Sequence, residues 1–467
     1  MRYIPHTDSD VRRMLETIGA PSVEALFRSI PATDRAKRPL GLPQALDEHR
    51  LLGMLRDLSG QSRSATDCGG PLAFLGAGAH RHSVPAVLDH LVGRAEFLTA
   101  YTPYQAEISQ GTLEAVFEFQ TTVCEMFGLE VANASMYDGA SAAAEALLMA
   151  RRLTKRQIFL VSEGVHPEYL ETCRTFISGL DGATIEVVPL ASDGRTDLAA
   201  ARAAFTGAAA GGGKDAGAAC LLAQSPNFMG VVEDLSPLAA LAHDHGALAV
   251  AAVPEVVSLG LLRPPGACGF DIAVGEGLGF AVPLSFGGPG VGLFATRDEH
   301  RRQIPGRLVG ETVDKAGVRG FVLTLATREQ HIRREKATSN ICSNQALVAL
   351  CFTIQSALLG KTGFARLARL NYSKAQYARR HLSALPGFSF AFSGPTFNEM
   401  ALRVPGGDAS ALVSRMAEPP VNIVPGVALG RFRPEWRDLL LVNFTELHSR
   451  EDIDRLVAAL AAHGKEA

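Results

Sequence analysis

The stretch DIAVGEGLGFAVPLSFGGPGVGLFA, Asp271 to Ala295, decides the fold. It reads as a short strand (DIAVG), a glycine-rich turn, a proline at Pro283, and a second strand running through VGLFAT. Both strand segments are apolar at successive positions instead of alternating, the pattern of strands covered on both faces. The turn between them carries no lysine, and none occurs anywhere between Lys214 and Lys315.

Similar segments lie upstream. EVANASMY (130–137), QIFLVSE (157–163), TIEVVPL (184–190), AACLLAQS (218–225) and ALAVAAV (247–253) are strand candidates, with helical patterns between them. Alternation of this kind implies βαβ units and a mostly parallel sheet. Residues 1 to about 65 read as a helical arm. In HTDSDVRRMLETIG, Thr7 to Ser9 can cap a helix whose apolar positions are Val11, Met14, Leu15 and Ile18, with a stop at Gly19. Residues 66–330 read as a large α/β domain and 331–467 as a small α+β domain. The latter opens on a helix from near Ser343 toward Leu359, followed by strands FSFAF, NEMALRV and DLLLVNF.

Composition narrows the function. The chain has 467 residues, too many for one ordinary core. A net charge of −3 does not point to nucleic acid or an anionic membrane. The 7 cysteines are dispersed without a Cys-x-x-Cys pair, which fits a reducing compartment and argues against zinc and redox motifs. The polar start predicts no secretory leader, no apolar run is long enough for a span, and the expected location is cytoplasmic. Gly211 to Lys214 lacks the spacing of a P-loop. GEGLG (275–279) and GGPGVG (287–292) fall short of a dinucleotide fingerprint, and no helix is expected after either. His243 and His245 read as a solvated helix end.

The polar residues at the ends of these strands form an ordered series. Asp138, Gly139, Ala140 and Ser141 open an alanine-rich helix whose free N–H groups suit a phosphate, with a plain N-cap as the simpler reading. His166 follows the next strand, where a ring could stack on a planar cofactor. Gln224 to Asn227 end another strand, and Glu255 follows the buried strand ALAVAAV. In open α/β sheets such ends surround one crevice.

The order resembles the aspartate-aminotransferase-like fold of pyridoxal phosphate (PLP) enzymes, fold type I. More closely, the chain resembles the P-protein family of the glycine cleavage system. The residues that carry this are YIPHTDSD (3–10), FLGAGAHRHSVPAV (74–87), YTPYQAEISQGTLEAVFEFQT (101–121), ANASMYDGASAAAEA (132–146), SFGGPGVGLFA (285–295) and RREKATSNICSNQAL (333–347). The resemblance implies a PLP-transferase fold. It places the cofactor lysine at about Leu278, counting back from Pro283. PLP chemistry needs that amine and an acid on the ring nitrogen, and here the amine is missing and the acid position is altered near Glu255.

From this resemblance the expectation is an α subunit that holds no PLP covalently. A homologous β subunit would carry the lysine and PLP. Together they would decarboxylate glycine and pass its aminomethyl group to the lipoyl arm of the H-protein. Tyr101, Tyr104, Gln105 and Glu107 are candidates to reach a shared site or to anchor the interface. Gly139, Ser141, His166 and Glu255 would be a vestigial cofactor pocket. The helix after Gly111 should bury Leu113, Val116, Phe117, Val123, Cys124 and Phe127. Arg333, Arg334, Lys336, Thr338, Ser339 and Asn340 suit either an anion site or a hinge before a capped helix. His80 and His82 read as residues of a surface loop. Two alternatives stay open: a self-contained PLP lyase or transaminase using Lys315 or Lys336, and a purely structural scaffold.

Overall fold

A computed structural model describes residues 5–35, 41–62, 64–65, 70–210 and 216–463. Cys68 and the Gly211–Lys214 segment lie outside the described residues. The chain divides into two compact units, residues 1–63 and 64–467.

In the first unit, the helix Asp8–Ile18 starts at a capping box formed by Thr7 and Asp10 and ends at Gly19, whose φ of 68° is left-handed. A second helix, Glu48–Ser59, is capped by the Asp47 side chain. Neither helix buries a residue.

The second unit begins with a two-residue strand, β1 (Leu72–Ala73). Its main sheet consists of β2 (Val131–Ala132), β3 (Ile158–Ser162), β4 (Thr184–Val188), β5 (Ala218–Gln224), β6 (Leu248–Val253), β7 (Ile272–Glu276) and β8 (Gly292–Thr296). The spatial order is β2-β8-β7-β6-β5-β3-β4. β4, β3, β5, β6 and β7 run parallel, and β8 and β2 close one edge antiparallel. The apolar-throughout pattern has a direct cause. Leu221, Ala223, Ala249, Ala251 and Ala273 face one core with the helix Gln110–Phe127. Leu222, Val250, Ala252 and Val274 face another, with helices Gly139–Thr154 and Pro167–Ile177.

A hairpin, β9 (Leu308–Val313) with β10 (Arg319–Thr324), packs outside this sheet. The helix Gln110–Phe127 buries Leu113, Val116, Val123 and Phe127 as expected, and also Phe119 and Gln120; Phe117 and Cys124 are only half-buried. Gln120 is buried because its amide exchanges two 2.9 Å hydrogen bonds with the backbone of Val309 in the hairpin.

The helix Ala346–Leu382 breaks at Gly360 (φ 57°). It is long and apolar enough to cross a membrane by length and composition, but its first half buries Val348, Cys351 and Phe352 in the core. A smaller antiparallel sheet follows, containing β11 (Ser389–Phe390), β12 (Glu399–Arg403), β14 (Val427–Ala428) and β15 (Leu439–Asn443) in the order β11-β12-β15-β14. The remaining strand, β13 (Ile423–Val424), pairs in parallel with β1 and ties the start of this unit to its end.

Candidate functional site: a filled cofactor cradle

The C-terminal ends of β3, β5, β6 and β7 converge, and the first turn of the helix Gly139–Thr154 points into the same region. Asp138 caps that helix: its carboxylate accepts from the Ser141 N–H at 2.7 Å, and the Ser141 hydroxyl accepts from the Asp138 N–H at 3.2 Å. The free N–H of Gly139 is already taken. Glu276, the last residue of β7, accepts it at 2.9 Å through Oε2. The other oxygen accepts from Leu278 N–H at 2.8 Å and Val291 N–H at 3.0 Å. A side-chain carboxylate therefore occupies the N-terminus of this helix, where an anion would otherwise be favoured. Burial, with a smaller push from Asp138, raises this carboxyl up to about 7, against the pull of the three N–H groups. A methyl group on Gly139 would collide with the hydroxyl of buried Tyr169, so the wall is tight on that side too.

The end of the neighbouring strand β6 is filled as well. Glu255 is 4% exposed and accepts from Val257 N–H at 3.0 Å and from the Asn398 amide at 2.9 Å. His82 lies 3.1 Å and His80 3.3 Å from its Oε2. His82 reaches on to Glu446 at 3.0 Å, and His80 to Glu399 at 3.4 Å. Burial opposes charge on His82, but Glu255 and Glu446 together hold the ring up to about 10. Burial likewise works against the charge on Glu255, and the two histidines outweigh it, holding its carboxyl at about 2. This corrects the surface-loop reading of the two histidines: both are buried and link the loop to the small sheet's β12 and the segment after β15.

His166 presents no free face. Its Nδ1 accepts from Glu168 N–H at 3.1 Å, so Nε2 carries the proton and donates to the Ala77 carbonyl at 2.9 Å. Tyr169, Phe228 and Phe432 surround the ring, and burial lowers its basicity. Gln224 accepts from the His166 N–H at 2.8 Å. What remains between Gly78, His80, Gln224, Glu255 and Glu399 is a cavity of about 10 Å³. That holds about one water, against the roughly 300 Å³ or more of a small-molecule site. Leu278 is 8% exposed and apolar. Lys315 and Lys336 are exposed, in the hairpin turn and in a short 3-10 turn, and neither lines this cavity. The residues present do not fit PLP.

Three smaller expectations are corrected. A four-residue helix, Leu278–Ala281, does open at the end of GEGLG, from its fourth residue, and it packs Phe280 into the core. His243 is not simply solvated but bonds Asp271 at 2.8 Å, while His245 stacks on Phe205. The helix after the REKATSNIC block starts at Ala346 with no side-chain cap. Within that block Ser339 donates to buried Glu145 at 2.8 Å, and Arg333, Arg334 and Lys336 are exposed.

The tyrosine segment lies elsewhere on the surface of this unit. Tyr101 is 87% exposed and Tyr104 57%, and Gln105 and Glu107 are exposed beside them. The Tyr104 hydroxyl accepts from buried Arg307 at 2.8 Å. Glu276, Arg307, Glu399 and Glu446 had not been singled out from sequence. Only Glu276 left a trace there, as a lone carboxylate ending an apolar strand between glycines.

The family profile "Glycine cleavage system P-protein" matches residues 1–460. A "Probable glycine dehydrogenase (decarboxylating) subunit 1" of Sorangium cellulosum is 48% identical over 465 residues, covering 99% of both chains. One of the same name from Anaeromyxobacter dehalogenans is 51% identical, covering 98% of this chain and all of that one. The crystal structure of a glycine decarboxylase (P-protein) of the glycine cleavage system, in inhibitor-bound form, superposes with a TM-score of 0.85 at 44% identity, covering 99% of this chain and 100% of that one. Mouse CSAD shares the fold at a TM-score of 0.68 and 15% identity, over 91% of this chain and 90% of that one. The match runs along essentially the whole polypeptide, and the chain belongs to the glycine cleavage system P-protein family.

Proposed function

We propose that this chain is the companion subunit of a two-chain glycine decarboxylase. Its homologous partner carries the lysine and the PLP. The assembled enzyme removes carbon dioxide from glycine and passes the aminomethyl group to the lipoylated H-protein, in the cytoplasm. The observation that carries this reading is the filled cradle, where Glu276 takes the phosphate seat and the Glu255–His80–His82 cluster takes the ring seat. Gly139, Ser141, His166 and Glu255 are then remnants put to structural use. The large and small parts of the main unit meet near residues 330 and 331.

Exposed apolar groups support a large partner interface. Leu98, Tyr101 and Ile108 are 59%, 87% and 81% exposed, and Phe286 is fully exposed on a turn. Four successive residues of that turn, Ser285 to Gly288, have positive φ. Obligate interfaces bury more than about 2,000 Å² and are enriched in such side chains. In this arrangement Tyr101, Tyr104, Gln105 and Glu107 complete the partner's site.

The test is reconstitution. This chain alone should be colourless with PLP and inert toward glycine, and adding the partner should restore turnover with the cofactor on the partner. Turnover by this chain alone would overturn the reading. A scaffold role is separated by Tyr101→Phe and Tyr104→Phe in the complex: unchanged turnover with intact assembly favours it.

A further inference from the structure

Arg307 is 4% exposed, yet its side chain makes a single hydrogen bond among the described residues, to the hydroxyl of Tyr104. Its Nε has no hydrogen-bond partner and lies 3.6 Å from the carboxylate of Glu329. A buried cation needs compensation, and a lone phenol and one loosely placed carboxylate are a thin supply. The backbone around it is held firmly. Ala134 N–H donates to the Arg307 carbonyl at 2.9 Å, the Asn133 amide donates to that of Pro305 at 2.9 Å, and Arg328 donates to that of Gly306 at 3.1 Å. The guanidinium also lies 5.0 Å from the centre of the Tyr104 ring. His331 meets the edge of that ring at 6.4 Å and Glu329 at 3.5 Å.

The phenol oxygen accepts from Arg307, so its own proton points away from the guanidinium. Tyr104 is more than half exposed, so an acceptor from outside this chain can reach that proton. A cation bonded behind a hydroxyl strengthens it as a donor. We propose that Arg307 is a positioning residue, which fixes the Tyr104 O–H as an outward donor to an anionic oxygen in the site shared with the partner subunit. The proposal rests on the reading of Tyr104 as part of that site and adds what orients it. Glu329 balances the buried cation, and His331 supports the ring edge.

The experiment uses the reconstituted two-subunit enzyme with glycine and H-protein, following kcat and KM for R307K, R307A, Y104F and the double variant Y104F/R307K. R307A should lose about tenfold or more in kcat/KM, the scale of one charge-assisted hydrogen bond, with the complex intact by size-exclusion chromatography. R307K keeps the charge and should recover part of that loss. The double variant should be no slower than Y104F alone, because Arg307 acts through the phenol. Losses that multiply in the double variant, or a fully active R307A beside an impaired Y104F, overturn the proposal while leaving the shared site standing. Full activity of Y104F in an intact complex overturns the shared-site reading and this proposal with it. Where R307A does not assemble, the comparison of R307K with the double variant decides.

Discussion

Glu276→Ala is the sharpest probe of the filled cradle. The substitution removes the acceptor of three backbone N–H groups, those of Gly139, Leu278 and Val291. A buried orphaned donor costs about 1–3 kcal/mol, and water entering the space left by the carboxylate offsets part of that, so the net loss should be about 3 kcal/mol. At about 2.1 cal/mol/K per residue, a unit of about 400 residues has an unfolding entropy near 0.85 kcal/mol/K, which converts the loss into a fall of ~4 °C in Tm. Glu276→Gln keeps one acceptor oxygen and should lose about 1 kcal/mol. The two variants also differ from the parent in pH dependence. The folded carboxyl sits at about 7, above its ordinary 4.5. Its contribution is therefore full below pH 4.5 and disappears as pH rises through 7, in all about 3 kcal/mol at about 1.36 kcal/mol per unit. Scanning fluorimetry from pH 5 to 8 reads both effects. The parent should lose Tm over this range more steeply than Glu276→Gln. An unchanged Tm for Glu276→Ala, or identical pH slopes for the parent and Glu276→Gln, would refute the reasoning.

Other outcomes follow from the same cradle. His82→Gln removes the cation between Glu255 and Glu446 and should destabilise by about 3–5 kcal/mol, read from urea midpoints, because it leaves two buried carboxylates facing each other. His82 is held at about 10 against an ordinary 6.5, so its contribution is complete below pH 6.5 and is lost as pH climbs through 10; the parent should unfold readily at pH 10 and His82→Gln should show little further loss there. Gly139→Ala places a methyl group against the Tyr169 hydroxyl and should cost about 1–3 kcal/mol, with Tyr169→Phe restoring part of it in the double variant. Leu278→Lys alone should not gain the absorbance of a PLP adduct, because both seats stay occupied; a borohydride-stable adduct on that variant would show them to be open.

Much of this was legible in the sequence, for identifiable reasons. β3 and β5 to β8 are largely apolar at consecutive positions because alternate residues feed two cores, and that pattern survives without any knowledge of tertiary contacts. The Asp138 cap and the Thr7 box were readable because capping is a local event within four residues. The hairpin β9–β10 was missed although LVGETV and RGFVLT flank a turn ending at Gly317 (φ 80°), because β9 passes from buried Leu308 and Val309 to exposed Glu311, Thr312 and Val313 and shows neither a continuous apolar run nor an alternation. The contents of the cradle were illegible. His80, Glu255, Glu399 and Glu446 are far apart in the chain, and only the closing of the small sheet on the large one brings their charges together. Gln120 was missed because the hairpin covers a second face of its helix, and Phe119 because it packs on Phe352 of the later helix, contacts that no single-stripe reading contains.

The most direct measurement is borohydride trapping of PLP on the reconstituted two-chain enzyme, followed by peptide mass analysis of both chains. The cofactor should be found on a lysine of the partner and nowhere on this polypeptide. A reduced PLP adduct on any lysine of this chain, formed in proportion to glycine turnover, would contradict the companion-subunit reading outright.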